Sequence, residues 1–163
     1  MACPDTPVTV VADRVDKYRD LGLRTLADEE PHRGPLGGLA RALEDLATTD
    51  QPWLLLASCD LLGMQSAWLD LLWERARVTP RTVSCCAFRG GAPVRWQPLP
   101  GLFHRDALAL VRSLLSAPDS NRGLWRVIAA MPHVEVPLPA DWDRALQINT
   151  VADLNTATAR ARV

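Results

Sequence analysis

Three polar residues stand at the ends of apolar or loop segments, where packing has little use for them: Asp28, Asp60 and Asn149. Between the first two lies Gly34-Pro-Leu-Gly-Gly38. Glycines let a ligand approach the backbone, and the free N–H groups that open a helix favour an anion. Asp60 closes the run Trp53-Leu-Leu-Leu-Ala-Ser-Cys-Asp60. In open α/β sheets ligands gather at the carboxyl ends of strands, so an acid there can hold a metal or a ligand hydroxyl. Aspartates also cap turns, and most glycine-rich loops are only turns. The combination is more specific than either part. It suggests a nucleotide site, with the glycines against base or ribose and Asp60 on a magnesium ion (Mg2+) that carries the phosphates. Magnesium needs only one or two carboxylates when phosphate oxygens and water complete its shell.

The elements that must position these residues follow from period and punctuation. Trp53 to Cys59 is too short for a membrane span and is bounded by Pro52 and Gly63; it reads as a strand buried on both faces. Val8–Ala12 and Leu23–Ala27 read as short strands, with a brief helical turn stopped at Gly22 between them. Leu36, Leu39, Ala40, Leu43, Leu46 and Ala47 recur at three and four, one face of an amphipathic helix. Ser66 can cap a second helix to about Arg77, with Trp68, Leu69, Leu72 and Trp73 as its stripe. Thr82–Phe88 is a strand turned at Gly90-Gly91 towards Val94–Gln97, after which Pro98, Pro100 and Gly101 interrupt. Helices are expected over Asp106–Leu115 and Asn121–Met131, and strands over His133–Val136 and Ala145–Ile148. Thr150-Val-Ala-Asp153 is a capping-box variant that opens a last helix. Strands alternating with helices predict an α/β fold with a mostly parallel sheet.

The 163 residues amount to one domain, with 48% hydrophobic and 23% charged residues and a formal net charge of −1. Without a basic run, nucleic acid and acidic membrane surfaces are not expected partners. No signal sequence opens the chain and no apolar stretch spans a bilayer, so a cytoplasmic location is the default. Cys3, Cys59, Cys85 and Cys86 lack Cys-x-x-Cys spacing. Cys59, Cys85 and Cys86 lie in strand-like runs and read as buried thiols. The six tryptophans are expected mostly in the core or its rim, although Trp96, beside Gln97, can touch a ligand ring. His32, next to the glycine loop, reads as an exposed loop residue, and His104 and His133 as structural. Arg33 and Arg95 are the arginines placed to meet phosphates, against the plainer reading of a solvated face.

In order and spacing, five segments together resemble the molybdenum cofactor guanylyltransferases and the wider nucleotidyltransferases of that fold. They are Val8-Thr-Val-Val-Ala-Asp-Arg14, Asp28 with Gly34-Pro-Leu-Gly-Gly38, Leu54–Asp60, Gln97–Phe103 and Ile148-Asn-Thr-Val-Ala-Asp-Leu154. The resemblance implies a three-layer, Rossmann-like sheet over residues 1–163. It implies that Asp28 contacts the guanine nucleotide, that Gly34, Pro35, Leu36, Gly37 and Gly38 line it, and that Asp60 is the magnesium ligand. Asn149 sits where the family has an asparagine near metal and acceptor. The implied reaction joins the GMP part of GTP to the phosphate of a molybdopterin-type acceptor and releases pyrophosphate; related enzymes use CTP.

Two features depart from that pattern. Val11 stands where relatives often carry asparagine. The family also opens with a strand and a glycine-rich loop ending in arginine, methionine, glycine and a catalytic lysine, and nothing here corresponds; Lys17, the only lysine, does not match it. A sheet without its first strand either brings Val8–Ala12 beside Leu54–Ser58 or keeps a gap. The favoured expectation is that Met1 is an internal methionine of a longer product. The rival function is a degenerate domain that binds nucleotide or a partner protein without catalysis. An exposed sheet edge would also invite self-association.

Overall fold

The computed structural model describes residues 7–28, 33–80, 82–117 and 123–160. The expectations for Cys3, for His32 and for a helix start at Asn121 lie outside them. The three-and-four spacing after the glycine segment produces α1 (Gly34–Leu46), with Leu36, Leu39, Ala40, Leu43 and Leu46 buried. Ala47, expected on that stripe, is exposed beyond the helix end, and Ala42 is buried instead.

Two short strands precede it, β1 (Thr9–Ala12) and β2 (Arg24–Ala27), and they pair in parallel as a two-stranded sheet. The main sheet has four strands in the order β3 (Trp53–Leu56), β6 (Arg95–His104), β5 (Cys85–Gly90), β7 (His133–Pro137). β6 runs antiparallel to both β3 and β5, while β5 and β7 are parallel. Three of the four strands therefore point one way. A third, small ladder joins β4 (Leu61–Leu62) to β8 (Leu146–Gln147), antiparallel.

Period-two alternation along β5 divides the core in two. Cys85 and Ala87 face a cluster built from α1, α3 (Ala107–Ser116) and α4 (Leu124–Ala130), with Phe103, Val111, Val127 and Ile128 at its centre. Cys86 and Phe88 face a second cluster with Trp68, Leu72 and Ala76 of α2 (Ser66–Arg77), Leu102 and Val136. Helices thus cover both faces of a mixed sheet, the three-layer α/β arrangement. Burial pushes the Cys85 thiol far up and the Cys86 thiol to about 11, so both stay protonated. Cys59 differs from the expectation: it lies beyond the end of β3 and is exposed.

Three further outcomes correct the sequence reading. β3 spans only Trp53–Leu56 and is half-buried, not buried on both faces. It pairs with β6 on one edge, and no strand among the described residues pairs with the other; β1 pairs with β2 alone, so the gap is what is observed. α2 begins at Ser66 itself, without a side-chain cap. Finally, Pro98, Pro100 and Gly101 do not end a strand. The register jumps from Ala87↔Gly101 to Phe88↔Gln97, so the prolines stand outside the ladder, where their missing N–H groups are not needed. Gly101 makes this close approach: a Cβ there would lie 2.5 Å from the Pro98 carbonyl oxygen.

Candidate functional site

Asp28 follows β2, and its N–H donates to the Ala12 carbonyl at 2.6 Å, which fixes it at the carboxyl end of the two-stranded sheet. The chain then enters α1. Gly34, its first residue, has φ +60°, a conformation that L side chains adopt at a cost of about 1–2 kcal/mol. Pro35 occupies the first turn, where no intrahelical donor is required. Among the described residues no side chain caps this end, and no acid sits in its first turn, so the helix start keeps its positive pole. Built Cβ atoms at Gly34 and Gly38 meet nothing within 4 Å. These two glycines, one helical turn apart, leave open space beside the helix start, whereas Leu36 and Gly37 between them are buried.

Arg33 is committed elsewhere, its Nη1 donating to the Leu115 carbonyl at 2.6 Å. Two contacts lock α1 to β2. Arg24 forms a two-pronged pair with Asp45 at 2.6 and 2.5 Å, and Arg41 Nε donates to the Ala27 carbonyl at 3.3 Å.

On the main sheet, Asp60 lies four residues past the end of β3 and is half-buried. Its carboxylate accepts a short hydrogen bond from the Ser58 hydroxyl, which turns the acid back over the strand end. The Asp60 carbonyl in turn accepts from the Ile148 N–H at 2.8 Å, continuing the β4–β8 ladder. Two segments almost 90 residues apart in sequence are thereby joined, and exposed Asn149 follows the bonded Ile148.

Asn149 is held from the other side. Asp153 Oδ2 accepts from the N–H groups of Asn149 at 3.1 Å and Thr150 at 2.8 Å, and the Asp153 N–H donates to Thr150 Oγ1 at 3.2 Å. This is the reciprocal cap read from the sequence, opening α5 (Val151–Arg160). The Thr150 hydroxyl, then the Asn149 and Thr150 amides, hold the Asp153 carboxyl below the usual carboxylate range.

Asp28 and the α1 start lie at the carboxyl end of β2, and Asp60 lies past the carboxyl end of β3. Sequence reasoning missed Ser58 as the partner of Asp60, although a hydroxyl two residues before a turn acid is a common local pairing. Lys17 forms an ion pair with Asp13 at 2.8 Å in the exposed turn after β1. Among the described residues no group of three or more His, Cys, Asp or Glu forms a metal cage. Among the described residues no helix is long and apolar enough to cross a membrane.

The chain is similar to known proteins. The MobA-like NTP transferase domain matches residues 2–136. A probable molybdenum cofactor guanylyltransferase of Halalkalibacterium halodurans is 32% identical over 99 residues, 60% of this chain and 47% of that protein. One of Synechococcus elongatus is 30% identical over 152 residues, 90% of this chain and 74% of its own length. The chain thus spans about half of the first relative and three quarters of the second. Among solved structures, molybdopterin-guanine dinucleotide biosynthesis protein A of Archaeoglobus fulgidus superposes with a TM-score of 0.73 at 14% identity, covering 95% of this chain and 79% of that one. That likeness carries the fold, and the match through β7 carries the kinship: the chain belongs to the MobA-like NTP transferase family.

Proposed function

We propose that the chain transfers the GMP part of GTP to the phosphate of a molybdopterin-type acceptor, with release of pyrophosphate. The observation that supports this reading is the bond from the Ile148 amide to the Asp60 carbonyl, which ties the Asp60 turn to the segment that continues into Asn149. The uncapped start of α1 receives the anionic nucleotide, with Gly34 and Gly38 leaving it room. The Asp28 carboxylate accepts from the N1–H and exocyclic amine of guanine; adenine offers it an acceptor at N1 and binds less well. Asp60, oriented by Ser58, would hold magnesium, an ion that takes most of its shell from phosphate and water and needs no cage. When bound, the ion offsets triphosphate charge and aligns the reacting phosphorus. The Asn149 carboxamide, which both donates and accepts, orients the acceptor phosphate.

Asp60→Ala is expected to lower magnesium-dependent pyrophosphate release at least about a hundred-fold while circular dichroism stays unchanged. An undiminished rate removes the metal assignment. A second reading, nucleotide binding without catalysis, is favoured by Lys17 being paired with Asp13 in the exposed turn after β1 and not at the α1 start. Thermal melting with GTP, CTP and ATP, each with magnesium, separates the readings when run beside the release assay. GTP is expected to raise the melting temperature most. A shift without pyrophosphate release selects the binding domain, and a larger shift with CTP selects a cytidylyl donor.

A further inference from the structure

The turn between β3 and β4 treats the two carboxylate oxygens of Asp60 differently. The backbone there is pinned: the Asp60 carbonyl accepts from the Ile148 N–H at 2.8 Å, and Leu61, the next residue, pairs with Gln147 in the small ladder. The side chain is held by one neighbour. The Ser58 hydroxyl donates to Asp60 Oδ1, whereas Oδ2 accepts no bond among the described residues. No cationic side chain pairs with the carboxylate among those residues either. Both Ser58 and Asp60 are half-buried, so the hydroxyl competes with less water for that oxygen than it would on an open surface.

An oxygen that already accepts a proton donor is a poorer ligand than one that does not, because its electron density is shared. Divalent cations differ in how much this matters. Magnesium is small and demands a near-ideal octahedron, and the bite of a carboxylate is too narrow for one edge of it, so one oxygen of Asp60 is all it needs. Calcium is larger, accepts flexible geometry and can take both oxygens of one carboxylate. To do so here it must share or displace the Ser58 bond, and losing a hydrogen bond to a charged group lowers affinity about ten-fold or more.

We infer that Ser58 sets which divalent cation the site accepts: by engaging Oδ1 it offers the cation Oδ2 alone, a grip that suits magnesium and penalises calcium. The inference rests on the magnesium role given to Asp60 above and adds to it a residue that determines ion specificity. Ser58 acts through Asp60 and is a positioning residue. The pinned backbone is what makes the device work, because the Asp60 turn cannot swing away from Ser58 to present both oxygens.

The test uses the full chain in excess over GTP, with Mn2+ as a paramagnetic probe that Mg2+ or Ca2+ displaces, followed by electron paramagnetic resonance. The nucleotide's own preference between the ions is the same in every variant and cancels. In Ser58→Ala both oxygens of Asp60 become free, so the ratio of calcium to magnesium affinity is expected to rise about ten-fold. Ser58→Thr keeps a hydroxyl on the same carbon and should keep the wild-type ratio, which separates loss of the bond from disturbance of the turn. An unchanged ratio in Ser58→Ala, even with both ions weakened, overturns the inference, as does a ratio in Ser58→Thr equal to that of Ser58→Ala. Asp60→Ala keeps the two readings apart. If the wild-type chain binds Mn2+ with GTP no more tightly than Asp60→Ala does, the metal assignment falls and this inference with it. If Asp60→Ala weakens Mn2+ while Ser58→Ala leaves the ratio unchanged, the inference alone falls.

Discussion

Asp60 is held from two directions, by the Ser58 hydroxyl on its carboxylate and by the Ile148 amide on its carbonyl, while Asp153 holds the Asn149 backbone. In the proposed reaction Asp153 acts as a positioning residue. Asp153→Ala is expected to lower kcat several-fold with little change in the GTP KM, because it loosens Asn149 and leaves the nucleotide pocket alone. A parallel loss in both parameters argues instead for general unfolding of α5. Gly38 permits a sharper experiment. Its backbone is helical and a Cβ there meets nothing within 4 Å, so Gly38→Ala should stabilise the fold by about 0.5 kcal/mol. If a nucleotide occupies that space, the same change weakens GTP binding roughly ten-fold. Urea unfolding and GTP titration of one variant measure both, and an unaltered GTP affinity shows the space to be unused. At this scale the positions of Asp28, Asp60 and Asn149 at the ends of segments were legible, because an acid or amide there has few packing uses. Ser58 was not, because a serine in an apolar run reads as small, not as a donor.

Among the elements, α1 carries the most structural responsibility. Its buried stripe faces the sheet and α3, and the Arg24–Asp45 pair and Arg41 fasten it to β2. The Arg24 guanidinium holds the Asp45 carboxyl below its ordinary value. A depressed folded pKa means stabilisation that is present above the unfolded value, near 4, and lost as pH falls through the lower, folded one. Arg24 is mostly exposed, so solvent screens the pair, and Asp45→Asn is expected to cost only about 0.5–1 kcal/mol at neutral pH. Urea midpoints of the two proteins should converge as pH falls below about 4; a constant difference would mean that packing, not charge, sets the loss. Helices were readable because three-and-four spacing survives any tertiary arrangement. β6 was not, since prolines usually end strands and only the three-dimensional register reveals that Pro98 to Pro100 leave the ladder while the strand continues. β3 came out shorter and wetter than its Trp-Leu-Leu-Leu sequence suggests, because burial on both faces requires neighbours on both edges.

At the scale of the whole molecule the sheet is divided: β1 and β2 form one piece, the four-stranded sheet another and β4 with β8 a third, and α1 packs on β1 and on β3. The α/β class could be read from alternating strands and helices, and the three layers from the family resemblance, but the division could not. It depends on which strand edges meet, and no single segment carries that information. The two far edges of the main sheet differ in kind. β7 displays His133, Glu135 and Pro137, residues that discourage further pairing, whereas β3 displays Trp53 and three leucines. Sedimentation at rising concentration is expected to show association, and Leu55→Lys on β3 should reduce it; a monomer at all concentrations would indicate that the edge is shielded.

Asp28 hangs from the smaller sheet piece and Asp60 from the larger, with no strand ladder between them. A nucleotide long enough to touch both would act as a rivet across that seam. Hydrogen exchange in Thr9–Ala12 and Arg24–Ala27, remote from any triphosphate, should then slow when GTP and magnesium are added, making the ligand part of the protein's own cohesion.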